Sequence, residues 1–306
     1  MKRLLFAALA LICSGLAAAA VINVEFEFTP FIGDVAKPQV DSVPGKARIL
    51  VNGIPIGEQE VAKQSMPVLF DAREIAPAVW ITGQSMRLGL RKGKNLLRIE
   101  FEPSDPKLAY QARLQWASVT DQVTRQSSGN TTSATNQADQ GLETKKSQGK
   151  IVLEKQFVAD FAADRPWHHY PPVTALTDDD RQKLVGLVTE RAAAFKPNFD
   201  KLYKLLDGRP ELQLGEIRKA KCLDKAHAAG VRITAPAAAD IEFATTGSAA
   251  VVVSRKNEPL YPLDPNSFTR IKGDNLRLCS GMTLSIAYPA QLVVAKSPAG
   301  SWEIAF

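Results

Sequence analysis

Apolar and polar residues alternate just past residue 20: Ile22, Val24, Phe26 and Phe28 against Asn23, Glu25 and Glu27. Strand side chains point to opposite faces in turn, so this pattern predicts a half-buried strand with those four apolar residues inward. A second strand is expected over 46–51, closed by Asn52-Gly53 and continued by Ile54-Pro55-Ile56. Asn-Gly accepts positive φ at both turn positions, so a tight hairpin follows. Further strands are expected over 86–90, over 97–101 after a basic turn at 91–95, and over 110–116. Another is expected over 151–158, where Ile151, Val152, Leu153, Phe157 and Val158 gather, pairing with 110–118. Short strands at regular spacing predict an N-terminal all-β antiparallel sandwich spanning 21–165.

Residues 121–150 are mostly Ser, Thr, Asn, Gln and Gly, with almost no large apolar side chain. Such a stretch buries too little surface to offset its ordering entropy, which predicts a mobile loop inside the sandwich. After a Pro/aromatic connector at 166–172 the period lengthens. Thr177 is an N-cap candidate, and Asp178, Asp179 and Asp180 complement a helix start. Leu184, Leu187, Val188, Arg191 and Phe195 then recur at helical spacing. A second helix is expected through Phe199, Leu202, Tyr203 and Leu206, stopped by Gly208, and a third over 211–229, stopped by Gly230. Strands are expected over 231–234, 241–244, 249–254, 268–272, 282–288, 291–296 and 302–306. The C-terminal domain, 173–306, is therefore expected to be α+β, with three helices followed by a curved antiparallel sheet.

The start of the chain changes the compartment. Met1-Lys2-Arg3, an apolar run from Leu4 to Leu11 and the small residues Ala17, Ala18, Ala19 and Ala20 form a signal-peptide pattern, with cleavage expected after Ala20. The run falls short of the ~20 residues a membrane span needs, and no later segment of the mature chain approaches that length. A periplasmic or secreted protein is expected. The 306 residues are 45% hydrophobic, with 38 basic against 32 acidic side chains. Loss of Lys2 and Arg3 takes the formal charge from +6 to +4. So thin a surplus is no nucleic-acid footprint, which demands a concentrated basic stripe. Two cysteines follow the leader, Cys222 and Cys279. An oxidising compartment favours a disulfide between them, worth roughly 4 kcal/mol for a loop this long, two buried thiols being the other reading.

Two segments are candidate ligand sites. Trp167-His168-His169-Tyr170 puts two aromatic rings and two imidazoles into one short extended run. It reads either as a binding lip or as a connector whose rings pack across both domains. Arg91, Lys92 and Lys94 form the densest positive spot. They suit an anionic polysaccharide or, equally, a solvated edge turn. No nucleophile elbow, phosphate-binding glycine loop or paired-histidine zinc pattern is present, so no catalytic residue is assigned and no metal or cofactor is expected. Cys222 and His227 form a nucleophile pair only if Cys222 is unbridged. The expectation is a non-enzymatic binding or assembly module whose partner is a cell-envelope glycan or an envelope protein. An enzyme with its site in a C-terminal pocket and a purely structural subunit are the two other readings.

Two resemblances sharpen the fold. Val51-Asn52-Gly53 with Ile56-Gly57, Phe70-Asp71, and the run Leu90-Arg91-Lys92-Gly93-Lys94-Asn95-Leu96-Leu97-Arg98-Ile99 resemble a galactose-binding-like jelly-roll module over 46–102. That likeness implies a jelly-roll fold, often carbohydrate-binding or accessory. Arg191 to Phe195, Asn198 to Tyr203 and the ending Gly300-Ser301-Trp302-Glu303-Ile304-Ala305-Phe306 resemble the nuclear-transport-factor-like cone. This implies an α+β pocket, catalytic in some members and not in others. No residue of this chain aligns with a catalytic set of that family.

Overall fold

The computed structural model describes residues 20–34, 41–68, 71–75, 78–125, 131–209 and 212–305. The expected leader lies outside them, as does Phe70 of the jelly-roll resemblance. In the first half the elements are β1 (Val21–Ile32), β2 (Asp41–Ser42), β3 (Gly45–Val51), β4 (Ile54–Val61), β5 (Gln64–Val68), β6 (Asp71–Ile75) and β7 (Val79–Thr82). There follow α1 (Gly83–Met86), β8 (Gly93–Pro103), β9 (Ala109–Arg125), β10 (Thr131–Gln148) and β11 (Ile151–Ala159). One sheet runs β10-β9-β1-β2, with β7 also on β1; the other runs β11-β8-β3-β4, and β5 pairs β6 apart from both. All pairings are antiparallel.

The two main sheets face one another through alternate residues, as the period-two pattern requires. Phe26 and Phe28 of β1 meet Phe157 of β11 and Phe101 of β8, with ring centroids 5.1 and 5.5 Å apart. Leu97, Ile99, Leu114 and Leu153 complete a core without charged members. Ile22 departs from expectation: the register between β1 and β9 shifts between Val21 and Asn23, and Ile22 turns to solvent. Residues 86–90 are not a strand. Thr82 and Ser85 cap each other reciprocally, opening α1, and Met86 and Leu90 are buried from a helix-and-turn segment.

The low-complexity run is the largest correction. Residues 121–125 and 131–148 are strand, β10 pairing β9 from Thr131↔Arg125 to Gln148↔Ala109. Composition weighs side-chain burial, whereas this edge is held by the main-chain ladder. Ser118 and Thr120 hydroxyls add bonds to the Asp139 and Asn136 carbonyls, and Tyr110 Oη donates to Gly149 O at 2.7 Å. With β10 occupying β9, the strand at 151–159 crosses to the other sheet and pairs β8.

The second half holds a 3₁₀ turn (Pro166–His169) and then α2 (Asp178–Ala192), α3 (Asp200–Leu206), α4 (Leu214–Ala220), α5 (Cys222–Ala228), β12 (Ile241–Thr245) and β13 (Ala250–Arg255). It ends with α6 (Pro265–Thr269), α7 (Asp274–Ala287), β14 (Leu292–Lys296) and β15 (Trp302–Ile304), the four strands forming one antiparallel sheet in chain order. Thr177 caps α2 as expected, its hydroxyl accepting from Asp180 N at 3.1 Å. The expected third helix is two: Lys221 takes φ 55 between α4 and α5. Ile217 and Leu223 are both buried, and at 3.6 residues per turn they would point well apart on one unbroken helix.

No strand forms over 231–234, 268–272 or 282–288. Met282, Leu284 and Ile286 alternate with Thr283 and Ser285, which reads as a strand, yet they lie in or against α7. Its buried face mixes Ser280 and Thr283 with Leu284 and Ala287: Ser280 Oγ donates to Cys222 O at 2.8 Å and Thr283 Oγ1 to Cys279 O at 2.7 Å. The order is therefore four helices, two strands, two helices and two strands. Cys222 and Cys279 are joined by a disulfide that ties α5 to α7, their Cα atoms 5.9 Å apart.

Candidate functional site

The two large cores meet through a third, small one: Ile54, Ala250, Val252 and Val293, with Trp167 and Ala305 against them. The β3–β4 turn delivers Ile54 there. Asn52 takes φ 52 and Gly53 φ 77, the left-handed pair expected of Asn-Gly. A Cβ on Gly53 would stand 2.7 Å from Thr246 O, so the turn abuts the second half backbone to backbone. Asn52 is pinned by its side chain, donating to Gly89 O and Asn95 Oδ1 and accepting from Leu96 N. Buried Asn95 organises the basic turn: Oδ1 accepts from Arg91 N, and Nδ2 donates to the Arg91 and Gly93 carbonyls. The sequence marked both asparagines as turn residues, but not the side-chain bonds by which they build the seam.

The structure splits the seven sequence-derived site residues. Arg91, Trp167 and His168 converge, with Asn52, Ile54 and Ser248, on a hollow of about 20 Å³. That volume suits one water and no larger ligand. His168 Nδ1 accepts from Arg165 N at 3.2 Å, so in the neutral ring the proton sits on Nε2, which is buried and has no hydrogen-bond partner among the described residues. Burial, chiefly, lowers the His168 pKa below its ordinary 6.5. His169 is exposed and meets Asp164 Oδ1 at 2.8 Å, while Tyr170 Oη donates to Glu303 Oε2 at 3.3 Å. Lys92 is exposed, and Lys94 lines a separate hollow of about 330 Å³ beside Trp116. Trp116 offers no open face for sugar stacking. Lys155 Nζ lies 3.7 Å over its ring, and a Cβ on Gly141 would fall 2.2 Å from the ring.

A ligand-sized space lies beside the seam. A cleft of about 960 Å³ opens between the outer face of the β3–β4 hairpin and the second half. Pro55, Ile56, Leu88, Ile286 and Pro289 give it an apolar surface, and Gln291 Nε2 donates to Pro55 O, joining its two walls. Its charges are mixed. Lys46 pairs Glu58 at 2.6 Å and Arg255 pairs Glu258 at 2.5 Å, whereas Arg48, Arg209 and Glu242 form no ion pair among the described residues. None of these lining residues stood out in the sequence, because they come from separate elements and carry no shared spacing.

Two further groups bear on chemistry. Cys222 sulfur is bonded to Cys279, so it has no thiolate for His227 to activate; that ring packs against Phe195 and Phe199 instead. Asp180 is more than a helix cap: its carboxylate accepts from Lys296 Nζ at 2.7 Å, Thr177 Oγ1 at 2.9 Å and Trp302 Nε1 at 3.1 Å. Burial would raise its pKa, but those donors outweigh it and hold the carboxyl at about 2. Among the described residues no three His, Cys, Asp or Glu side chains gather as metal ligands, and no helix is long and apolar enough to cross a membrane. No protein-family model, curated protein or solved structure matches the chain.

Proposed function

We propose that the chain is an exported, non-enzymatic binding or assembly module of the cell envelope, periplasmic or secreted, whose ligand sits in the cleft between sandwich and helix-covered sheet. The cleft carries this reading. Its volume is in the range of small-molecule and oligomer sites, and junctions between folding units are where such sites concentrate. The Cys222–Cys279 bridge suits the oxidising compartment that the leader pattern implies. An envelope glycan or an envelope protein is the partner class. A jelly-roll sandwich is in keeping with this, since Asn-Gly and Gly-Lys-Asn both serve as turns, and a cone-like second half would supply the opposing wall.

The sandwich has a second surface suited to assembly. Trp80 is 61% exposed and Leu142 57% exposed, and the register places them at the two ends of one row across the sheet, Trp80–Glu27–Gln115–Leu142. Trp80, with its exposed ring, is the group of this face that a protein partner would cover. The direct test is binding of the full chain to a glycan array and to solubilised envelope proteins, with Ile56→Glu and Leu88→Glu blocking the cleft. Ligand binding lost in both variants, with the fold intact by circular dichroism, is the expected result. Binding unchanged in both overturns the cleft reading. Fractionation of cells and N-terminal sequencing test export, with Val21 the expected first residue.

A further inference from the structure

Helix α7 turns two large apolar side chains to solvent: Leu278 is 62% and Met282 51% exposed, four residues apart. At about 3.6 residues per turn, both project from the side of α7 opposite its buried Ser280, Thr283, Leu284 and Ala287. One exposed leucine needs no explanation, but two such groups on one helix face, among free cations, do. The Cys222–Cys279 bridge sets α5 beside this helix, and Ser280 Oγ bonds the Cys222 carbonyl. Lys221 precedes Cys222, so its Cα lies within about 10 Å of the Cys279 Cα. Lys225 lies on α5 itself, and Lys272 stands just before α7. All three lysines are exposed and form no ion pair among the described residues. Of the acidic side chains on α4, α5 and α7, Glu216 meets Lys219 at 3.8 Å and Asp274 meets Arg277 at 3.3 Å, which leaves the exposed Asp224 as counter-charge.

Charge is concentrated on these helices. Residues 196–232 and 270–277 hold 12 basic against six acidic side chains, a larger surplus than the +4 of the whole chain without its leader. Protruding aliphatic side chains flanked by lysines suit an anionic lipid surface. The apolar groups enter the headgroup boundary, and each lysine near the surface adds attraction to the lipid phosphates. We propose that the α5–α7 face docks on an anionic phospholipid bilayer, with Leu278 and Met282 entering the interface and Lys221, Lys225 and Lys272 lying over the phosphates. Charge disfavours a second copy of the chain as the occupant, because two such faces carry the same sign and repel on meeting. The inference goes beyond the cleft reading and does not depend on it.

The test is sedimentation with vesicles of the full chain after removal of its leader, whose apolar run would itself partition into lipid. Vesicles of phosphatidylglycerol and phosphatidylcholine in equal parts are compared with phosphatidylcholine alone, each at low and at high salt. Binding to the mixed vesicles that salt weakens, with little to the neutral ones, is expected. Lys221→Asn together with Lys225→Gln should weaken it more than about tenfold, since each lysine near the surface is worth roughly fivefold. Asparagine suits the left-handed φ of 55 at position 221. Leu278→Gln together with Met282→Gln should weaken binding by about tenfold or more. All four positions are exposed, so the thermal midpoint should stay unchanged in both double variants. As a direct sign of contact, Leu278→Trp should shift its emission to the blue on adding mixed vesicles, beyond any shift of the unaltered protein. No binding to mixed vesicles, equal binding to neutral ones, or full binding kept by either double variant overturns the proposal. Dimerisation without vesicle binding, abolished by Leu278→Gln with Met282→Gln, also overturns it and assigns the face to a second copy.

Discussion

The two halves of the molecule hold themselves together differently. The sandwich relies on interlocking apolar side chains, its Phe26, Phe28, Phe101, Phe157 and Tyr110 rings in contact and, among the described residues, no buried charge. The second half has an apolar core too, but short helices and a four-stranded sheet are tied by specific fasteners: a disulfide, a carboxylate bonded by three residues, and a buried arginine. Strand register already dictates which side chains meet, so a sandwich needs little else. Helices of seven residues, such as α3, α4 and α5, are marginal alone and gain their place from cross-links.

The contrast yields a graded series of perturbations. Phe101→Ala deletes a fully buried ring and should cost the sandwich about 4 kcal/mol, read as a shift in denaturant midpoint, with the second half's transition unmoved. Coincident shifts of both transitions would show that the halves unfold as one unit. Replacing Cys222 and Cys279 together by Ser should cost roughly 4 kcal/mol, confined to the second half. The same loss is expected on adding reductant to the unaltered protein, and an undisturbed second transition would contradict it.

Asp180→Asn comes next, at about 2 kcal/mol, because bonds to an ionised acceptor weaken on neutralisation. Its acid sensitivity follows the same sign. The folded carboxyl is held at about 2, below its ordinary 3.8, so its stabilisation is present above 3.8 and is lost as pH falls toward 2. Unfolding titrations should show that loss, and Asp180→Asn should lack it. The smallest effect belongs to the seam. His168 is also held below its ordinary pKa, so its neutral form stabilises the fold above pH 6.5 and that contribution fades as pH drops below 6.5. Amide exchange at Ile54 and Val252 should quicken in this mildly acidic window, before the Asp180 region responds. His168→Phe should remove the dependence; exchange that stays flat with pH would refute it.

The same contrast explains what was legible in the sequence. Alternation at Val24, Phe26 and Phe28 and the Asn52-Gly53 turn located the sandwich, because period-two burial and positive φ are written in residue type. The Thr177 cap and Gly208 did the same for α2 and α3. The β9–β10 ribbon was illegible, since main-chain pairing leaves little trace in composition. α7 was misread because Ser280 and Thr283 share its buried face with Leu284 and Ala287 while Leu278 and Met282 are exposed, which blurs the apolar stripe of a helix. Of the site, the Trp167–His168 run and Arg91 were visible as unusual local sequence, and they do lie together at the seam. The cleft lining was not, since Arg48, Arg209 and Pro289 come together only through how the two halves pack, a relation that no short stretch of sequence encodes.

The way Ile54 is held has a practical consequence for anyone dividing this protein. Severing the polypeptide around residues 166–172 would leave an isoleucine jutting from one fragment and a bare patch of Ala250, Val252 and Val293 on the other. Each piece, expressed separately, would then display a sticky spot that its intact parent keeps hidden, and self-association of the fragments would say nothing about the native oligomer. Pairing the cut with Ile54→Ser on one fragment and Val252→Thr on the other would give cleaner reagents than trimming alone.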